Sequence, residues 1–247
     1  MPHHPSPARS FPRNPRRRCA SRAAGLALLA AGVLAAGCGS AQPRPDESCL
    51  ALLRARGVAF SEGPDLKGVR TPVTLEGDLF EPRLKPRAGR PAQMDCQLAV
   101  ALVEARPIFR DLGITELEFS SAYDYRNRRR SSKLSQHAAG LAIDVHVFHR
   151  ARDQFVVART FEKRPGRWQG TPPGPGWYGD CFGRPRTVGG RALRRLACRL
   201  RLDDVFRVIL TPDDNWDHHD HFHIEAFPDA AARAAGAPPP PGDDRAG

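Results

Sequence analysis

The hydrophobic positions of the chain follow helical spacing in three segments. "SCLALLRARG" (48–57) and "DCQLAVALVEARPIFRDLG" (95–113) each predict a helix that ends at a glycine, and "GGRALRRLACRLR" (189–201) predicts a third. Asp95 is suited to cap the second helix, because its carboxylate can accept the unpaired N–H groups of the first turn. Proline lacks the N–H that a helix requires, so we expect a kink or a break at Pro107.

Four further segments have the alternating or continuously apolar pattern of strands. The predicted strands are residues 114–123, 141–148, 204–210 and 221–227. "RPGRWQGTPPGPGWYGD" (164–180) is so rich in glycine and proline that it predicts a loop. Because strands and helices do not alternate in the regular order of parallel folds, the pattern predicts an α+β fold with a mostly antiparallel sheet flanked by helices.

The first 38 residues have the features of an export signal. A basic stretch is followed by an apolar run of 15 residues from Ala23 to Gly37, and then by Cys38. Such a run is short for a membrane-spanning helix and typical of a cleaved signal. "LAAGC" resembles a lipoprotein box, in which Cys38 becomes the lipidated first residue of the mature chain, and simple cleavage with release is the alternative. Either route predicts an exported protein that is periplasmic or on the outer envelope.

Both flanks of the central region lack apolar periodicity. Residues 39–47 are polar and contain proline, which predicts a linker. Residues 229–247 include four consecutive prolines and predict a disordered tail. A single folded domain is therefore predicted over 48–228.

The formal charge of +11 is concentrated at the N-terminus. Residues 1–22 hold six arginines and no acid, and the rest of the chain carries 32 basic and 27 acidic residues. A surplus of that size suits an acidic polymer such as a bacterial wall as well as it suits DNA. "RNRRRSSK" (126–133) has no interleaved aromatic residues, and together with the export signal this disfavours nucleic-acid binding.

Six cysteines suit an exported protein. Two fall in the targeting segment and four lie beyond it. An even number favours disulfides in an oxidising compartment, and four cysteines allow three pairings. Of these we predict Cys49 with Cys96 and Cys181 with Cys198. A cysteine zinc site is disfavoured because the sequence contains no C-x-x-C pair.

Histidine is concentrated in "NWDHHDHFHIE" (215–225), which holds four of the nine in the chain. Strand alternation places His221, His223 and Glu225 on one face of the predicted strand, opposite its apolar residues. Two histidines therefore project together from a strand whose other face can be buried.

A second polar position lies within the predicted strand of residues 141–148. Alternation puts Asp144 on one face of this strand with His146 and Phe148, and His137 precedes it by seven residues across a turn of small residues. A buried carboxylate is costly without a partner, so Asp144 implies a nearby cation or strong donor.

The two segments together supply His137, Asp144 and a histidine from 218–223. Three nitrogen or oxygen ligands with a fourth position open is the pattern of catalytic zinc. Spacing alone leaves a solvated histidine-rich stretch as an equal alternative. His146 and His149 are given no role, because a lone histidine is more often an ordinary surface residue.

Two motifs carry a family resemblance. "SQHAAGLAID" matches S-x-H-x-x-G-x-A-x-D, and His221-Phe222-His223 supplies an H-x-H near the end of the domain. In this order they resemble the signatures of the zinc D-alanyl-D-alanine peptidase superfamily, which includes murein endopeptidases and the hedgehog signalling domain. Within it, the chain is most similar to the bacterial extensin-like C-terminal domain, in "SSKLSQHAAGLAIDV", "LTPDDNWDHHDHFHIE" and the flanking cysteines. The resemblance covers nearly the whole domain.

The resemblance implies that His137, Asp144 and His223 bind zinc. It also implies two candidates for the catalytic base, since some members use a carboxylate three residues before the last ligand and others use the first histidine of H-x-H. Here these are Asp220 and His221. His221 is favoured because it shares a strand face with His223.

Three further roles follow from the resemblance. Arg126 would stabilise the oxyanion formed on the substrate, with a solvated basic loop as the alternative. Ser135 would orient the substrate or the first ligand. His218 would hydrogen-bond the substrate or the attacking water, while His219 has no role.

These implications describe an exported zinc metallopeptidase that hydrolyses amide bonds in peptidoglycan stem peptides or cross-links, as a D-alanyl carboxypeptidase or endopeptidase. The alternative is a non-catalytic, zinc-stabilised envelope lipoprotein that binds wall peptides or a protein partner, as the hedgehog domain keeps the fold for signalling. No G-x-S-x-G elbow or phosphate-binding glycine loop supports a rival chemistry. The sequence does not predict an oligomeric state.

Overall fold

Helices and two mostly antiparallel sheets form one α+β body, as predicted. The structure is a computed structural model, and it describes residues 46–76, 81–87, 89, 91–163, 181 and 184–237. The helices in these ranges are α1 (Glu47–Ala55), α2 (Cys96–Glu104), α3 (Arg106–Asp111), α4 (Val157–Thr160), α5 (Val188–Leu202) and α6 (Ala230–Ala234). The strands are β1 (Phe60–Glu62), β2 (Pro72–Leu75), β3 (Arg83–Pro86), β4 (Gln93–Asp95), β5 (Glu116–Phe119), β6 (Ala142–Arg150), β7 (Asp153–Val156), β8 (Val208–Leu210) and β9 (Phe222–Glu225).

The larger sheet is organised around β6. Its strand order is β3-β5-β6-β9-β8, and β7 also pairs with β6. β3 and β5 run parallel, and the other pairs described in this sheet are antiparallel. β1, β2 and β4 form a smaller antiparallel sheet. The long β6 strand, which carries Asp144, is therefore paired directly with β9, which carries His223.

Helix α2 is the buried helix against which both ends of the described chain pack. Asp95 caps it as predicted, with its Oδ1 accepting the Gln97 N–H at 2.9 Å. The helix ends at Glu104, and Pro107 lies in the first turn of α3. The predicted break is confirmed, because Pro107 has no N–H to continue the hydrogen bonding of α2.

Both predicted disulfides are formed. Cys49–Cys96 joins α1 to α2, and Cys181–Cys198 joins residue 181 to α5. Disulfides persist in oxidising compartments, so the two bonds agree with a protein that works outside the cytosol.

The predicted disordered tail is wrong at its start. α6 lies within it, Ala230 and Ala231 are buried, and the Ala231 N–H donates to Gln97 Oε1 of α2 at 2.7 Å. Alanine favours helix formation, and its small side chain lets α6 approach α2 closely. The folded domain thus extends to residue 237 rather than 228, and 238–247 lie outside the described residues.

Strand β6 departs from simple alternation at His146. The two β5 residues that pair with Val145 and Val147 are adjacent in sequence, so His146 has no partner in β5. Such a bulge shifts the side-chain phase by one residue. Phe148 therefore belongs to the hydrophobic core, where its ring centre lies 5.2 Å from that of Phe222. The prediction that Phe148 shares a face with His146 is wrong for this reason.

Besides α6, six short elements were not predicted: β1, β2, β3, β4, β7 and α4. Each has three or four residues, which is too few for a hydrophobic period to emerge. The predicted export signal with Cys38, residues 39–45 of the linker and the 164–180 loop lie outside the described residues. Within the described ranges, no helix has the length and apolarity needed to span a membrane.

Candidate metal centre

The three side chains predicted as metal ligands converge on one face of the larger sheet. Asp144 on β6 and His223 on β9 stand directly opposite each other in the antiparallel register, so their side chains project to the same side. His137 comes from a 3₁₀ turn, Gln136–Ala139, which precedes β6. Ser135 caps this turn, with its Oγ accepting the His137 N–H at 3.3 Å. Ser135 therefore fixes the backbone of the first candidate ligand.

The donor atoms of these side chains form a compact triangle. His137 Nε2 lies 3.2 Å from His223 Nδ1 and 3.2 Å from Asp144 Oδ1, and His223 Nδ1 lies 2.8 Å from Asp144 Oδ1. The side chain of His137 is 1% exposed, that of His223 is 9% exposed and that of Asp144 is 10% exposed. A tetrahedral metal with ligands at about 2.0–2.2 Å holds neighbouring donors about 3.3 Å apart. The buried triangle therefore fits one small metal ion.

Outer hydrogen bonds orient the rings so that these donors face each other. Glu225 Oε1 lies 2.9 Å from His223 Nε2. It accepts the Nε2 hydrogen when Nδ1 is unprotonated and free to bind a metal ion. Ser121 Oγ lies 3.5 Å from His137 Nδ1 and donates to Asp144 Oδ2 at 3.4 Å. Carboxylate or hydroxyl partners of this kind fix the tautomer of a ligating histidine.

The electrostatics of the triangle favour a cation. Burial raises the pKa of Asp144, but hydrogen bonds from His137 and His223 outweigh it and hold that pKa well below its usual range. Burial lowers the pKa of His223, but hydrogen bonds to Asp144 and Glu225 outweigh it and raise that pKa to about 9. Both shifts have one cause: positive charge is stabilised next to the carboxylates of Asp144 and Glu225. A metal ion in the triangle would be stabilised in the same way.

His221 and Asp220, the two candidate bases, form a hydrogen-bonded pair beside the triangle. His221 lies just before β9, with Nε2 at 3.4 Å from Asp144 Oδ1 and Nδ1 at 2.8 Å from Asp220 Oδ1. Burial raises the pKa of Asp220, but the hydrogen bond with His221 outweighs it and lowers that pKa. His221 thus faces the triangle, and Asp220 lies on the far side of its ring.

His218 and His219 are neighbours in sequence but differ in surroundings. The His218 ring centre lies 5.2 Å from those of both His221 and His223. Burial, and the charges of His223 and His221, lower the pKa of His218 to about 3, so its ring is neutral at physiological pH. His219 instead stacks on the exposed ring of Trp216 at 4.8 Å. His218 belongs to the site, and His219 lies away from it.

A cavity of about 360 Å³, lined mainly by charged and polar residues, opens over the triangle. Its walls include three arginines, Arg126, Arg128 and Arg129. Arg126 donates from Nε to Asp124 at 2.8 Å, and Arg129 donates to Asp217 at 3.0 Å. The predicted residues Ser135, His218 and His221 line the same space. The cavity therefore combines a metal-binding floor with a cationic rim.

Sequence reasoning gave no role to Glu225, His146, Arg128 or Arg129. Glu225 carried a signal, because alternation placed it on the same strand face as His223. Alternation likewise placed His146 on the same strand face as Asp144. Arg128 and Arg129 had no such signal, since a run of basic residues looks the same on a solvated loop as at a cavity rim.

Comparison with known proteins finds no matching family model, no matching curated protein and no matching solved structure. What is established is therefore the α+β fold and a buried histidine, aspartate and histidine group, His137, Asp144 and His223, that can hold a metal ion.

Proposed function

We propose that the protein is a zinc-dependent amide hydrolase. The observation that carries the proposal is the convergence of three buried donor atoms with His221 Nε2 at the floor of an accessible cavity. Two imidazoles and one carboxylate suit zinc, and three protein ligands leave a position for water or substrate. When bound, zinc supplies a Lewis acid that lowers the pKa of water and polarises a carbonyl oxygen.

His221 is proposed as the catalytic base, and Asp220 as its positioning partner. With its Nδ1 hydrogen donated to Asp220, the neutral ring has a free lone pair on Nε2, which faces the cavity floor. Nε2 can then take a proton from the attacking water and deliver it to the leaving amine. This arrangement gives both candidate bases a function, and makes Asp220 the residue that selects the tautomer.

The cavity walls suit the rest of the reaction. Arg126 is proposed to stabilise the negative charge on the carbonyl oxygen of the substrate, which requires its guanidinium to turn from Asp124. His218 is neutral and borders His221, and its Nδ1 hydrogen is donated to Asn215 Oδ1 at 2.7 Å, so its Nε2 is proposed to accept a hydrogen bond from substrate. The same rim of arginines suits substrates that carry carboxylates.

The substrate class is proposed to be peptidoglycan stem peptides or cross-links. The support is the motif resemblance to D-alanyl-D-alanine peptidases and extensin-like domains, together with the predicted export signal and the two disulfides. Lipid attachment at Cys38 is part of this proposal and places the cavity in the envelope, near the wall.

Digestion of defined muropeptides tests the reaction. We expect zinc-loaded protein to release products that mass spectrometry identifies, and His221→Ala to lose at least about 100-fold in rate, as removal of a general base does. His219→Ala is the matched control, because this neighbouring histidine lies outside the cavity. An inactive protein, or equal rates for the two variants, would contradict the proposal.

Elemental analysis tests the metal separately. One zinc per chain is expected in the wild type and in His219→Ala, and loss of that zinc in His137→Ala. Equal zinc in all three proteins would refute the site. Zinc binding without cleavage would favour the non-catalytic wall-binding protein.

A further inference from the structure

A second group of donors lies beside the first triangle. His146 Nδ1 is 3.8 Å from Asp220 Oδ2, and His221 Nδ1 is 2.8 Å from Asp220 Oδ1. The His146 and His221 ring centres are 5.1 Å apart, and the three donors all lie within 4.8 Å of one another. Two imidazole nitrogens and a carboxylate repeat the donor set of the first triangle.

The bulge in β6 explains why His146 is available to this group. His146 is the residue without a partner in β5, and its ring turns toward Asp220 and His221. Its Nε2 lies 3.0 Å from Ser120 Oγ. When Nε2 donates its hydrogen to this hydroxyl, Nδ1 is left with a free lone pair directed at Asp220. Ser120 thus orients His146 as Glu225 orients His223.

We propose that His146 Nδ1, the Asp220 carboxylate and His221 Nδ1 form a second, weaker transition-metal site that takes zinc when the ion is abundant. The donors, which lie within 4.8 Å of one another, must draw together by up to about 1.5 Å to reach the roughly 3.3 Å spacing of zinc ligands. Asp220 is 37% exposed and can make that movement. His221 is also near Asp144, so an ion in the first triangle repels a second ion and lowers its affinity.

Occupation of the second site removes the base of the proposed reaction. An ion on His221 Nδ1 takes the position of the hydrogen that Asp220 accepts. That hydrogen is released to solvent while Nε2 takes up one proton from solvent, so no proton is gained or lost overall. The neutral ring then carries its hydrogen on Nε2 and has no lone pair there to accept a proton from water. Excess zinc therefore inhibits hydrolysis, a consequence that rests on the proposed function, whereas the binding of the ion does not.

Zinc stoichiometry tests the site without reference to activity. The full chain is dialysed against a series of free Zn²⁺ concentrations, and bound zinc is measured by elemental analysis. We expect the wild type to bind one ion at low concentration and two at high concentration. His146→Ala should bind one at both, and His137→Ala should keep only the weaker ion. A wild type that saturates at one ion, or a His146→Ala variant that still binds two, overturns the proposal.

Two variants separate ligation from nonspecific effects. His149→Ala is the matched control, since His149 lies on the same strand but contacts Glu116 and Glu118. It should bind two ions like the wild type. Ser120→Ala should weaken only the second ion, by about 10- to 100-fold, as loss of an outer hydrogen bond does at metal sites. An unchanged second affinity in Ser120→Ala would contradict the orientation assigned to His146.

The activity measurement distinguishes this proposal from the preceding one. Excess zinc should inhibit the wild type and His149→Ala but not His146→Ala, when the rate of each protein is compared with its own rate at low zinc. A protein that binds two ions and cleaves nothing supports the second site and refutes the hydrolase. A hydrolase that binds a single ion refutes the second site alone.

Discussion

At the scale of single residues, the candidate centre depends on which ring nitrogen of each histidine carries hydrogen. His223 presents Nδ1 to the triangle only if Nε2 is protonated, and Glu225 is the acceptor that holds the hydrogen there. Glu225 is hydrogen-bonded to a proposed ligand and is not itself one. Glu225 acts through His223. Loss of the Glu225 carboxylate should therefore weaken metal binding more than it destabilises the fold.

Glu225→Gln is therefore expected to weaken zinc binding by about 10- to 100-fold, because the amide lacks the charge that increases the basicity of His223. Competition with a chromophoric chelator measures the affinity. Glu118→Gln is the control, since Glu118 lies in the same sheet but pairs with Lys85 and Arg87. Equal affinities for the two variants would show that Glu225 does not tune the site.

The sequence predicted the residues of the triangle better than their surroundings. His137, Asp144 and His223 followed from two motifs, and Glu225 shared a face with His223 by alternation. The orientation of Asp220 behind His221 did not follow, because residue 220 precedes β9 and its direction depends on the turn around Trp216–His218. The cationic rim of the cavity could not be predicted, because local sequence does not encode which loop borders a cavity.

At the scale of elements, the turn between His137 and β6 joins the candidate centre to helix α2. Gly140 ends this 3₁₀ turn with a left-handed φ of 67°, and its carbonyl accepts the Asp95 N–H at 2.9 Å. A Cβ on Gly140 would lie 2.6 Å from Asp95 N. This glycine is needed both for its backbone angle and for its close approach to the cap of α2.

Gly140→Ala should consequently destabilise the protein by more than the roughly 1–2 kcal/mol that a left-handed alanine costs. Gly57→Ala is the matched control. Gly57 has a φ of 65°, but a Cβ there meets no atom within 4 Å, so only the backbone cost applies. Chemical denaturation of both variants measures the difference. Equal losses of unfolding free energy would mean that the contact with Asp95 relaxes without cost.

The longer helices and strands were predicted correctly, whereas most elements of three to five residues were not. The 95–113 helix, its Asp95 cap and its break at Pro107 were all correct, because the signals are local. The bulge at His146 was not, because alternation assumes an unbroken ladder and the extra residue is defined by pairing with β5. α6 was missed since an alanine-rich stretch has no hydrophobic period, and its burial comes from α1 and α2.

At the scale of the whole molecule, two covalent links stabilise the fold over different lengths of chain. Cys49–Cys96 spans 47 residues and holds α1 on α2, whereas Cys181–Cys198 spans 17 and lies against α5. Closure of a longer loop removes more entropy from the unfolded chain. The first bond should therefore contribute more to stability than the second.

Replacement of both cysteines of a pair by alanine tests this order. On loop entropy, the Cys49 and Cys96 variant should lose about 4 kcal/mol of unfolding free energy, and the Cys181 and Cys198 variant about 3 kcal/mol. Urea denaturation under non-reducing conditions gives both values. The opposite order would place the main contribution in the native contacts around α5 rather than in the unfolded chain.

Packing of α6 on α1 and α2 has a consequence for the topology of the molecule. The first and last helices of the described chain approach within 8 Å between Cα atoms, and both rest on the same buried helix. The two ends of the described region, residues 46 and 237, therefore belong to neighbouring parts of the fold. Because the first and last helices of the described region lie together, we expect this region to tolerate circular permutation.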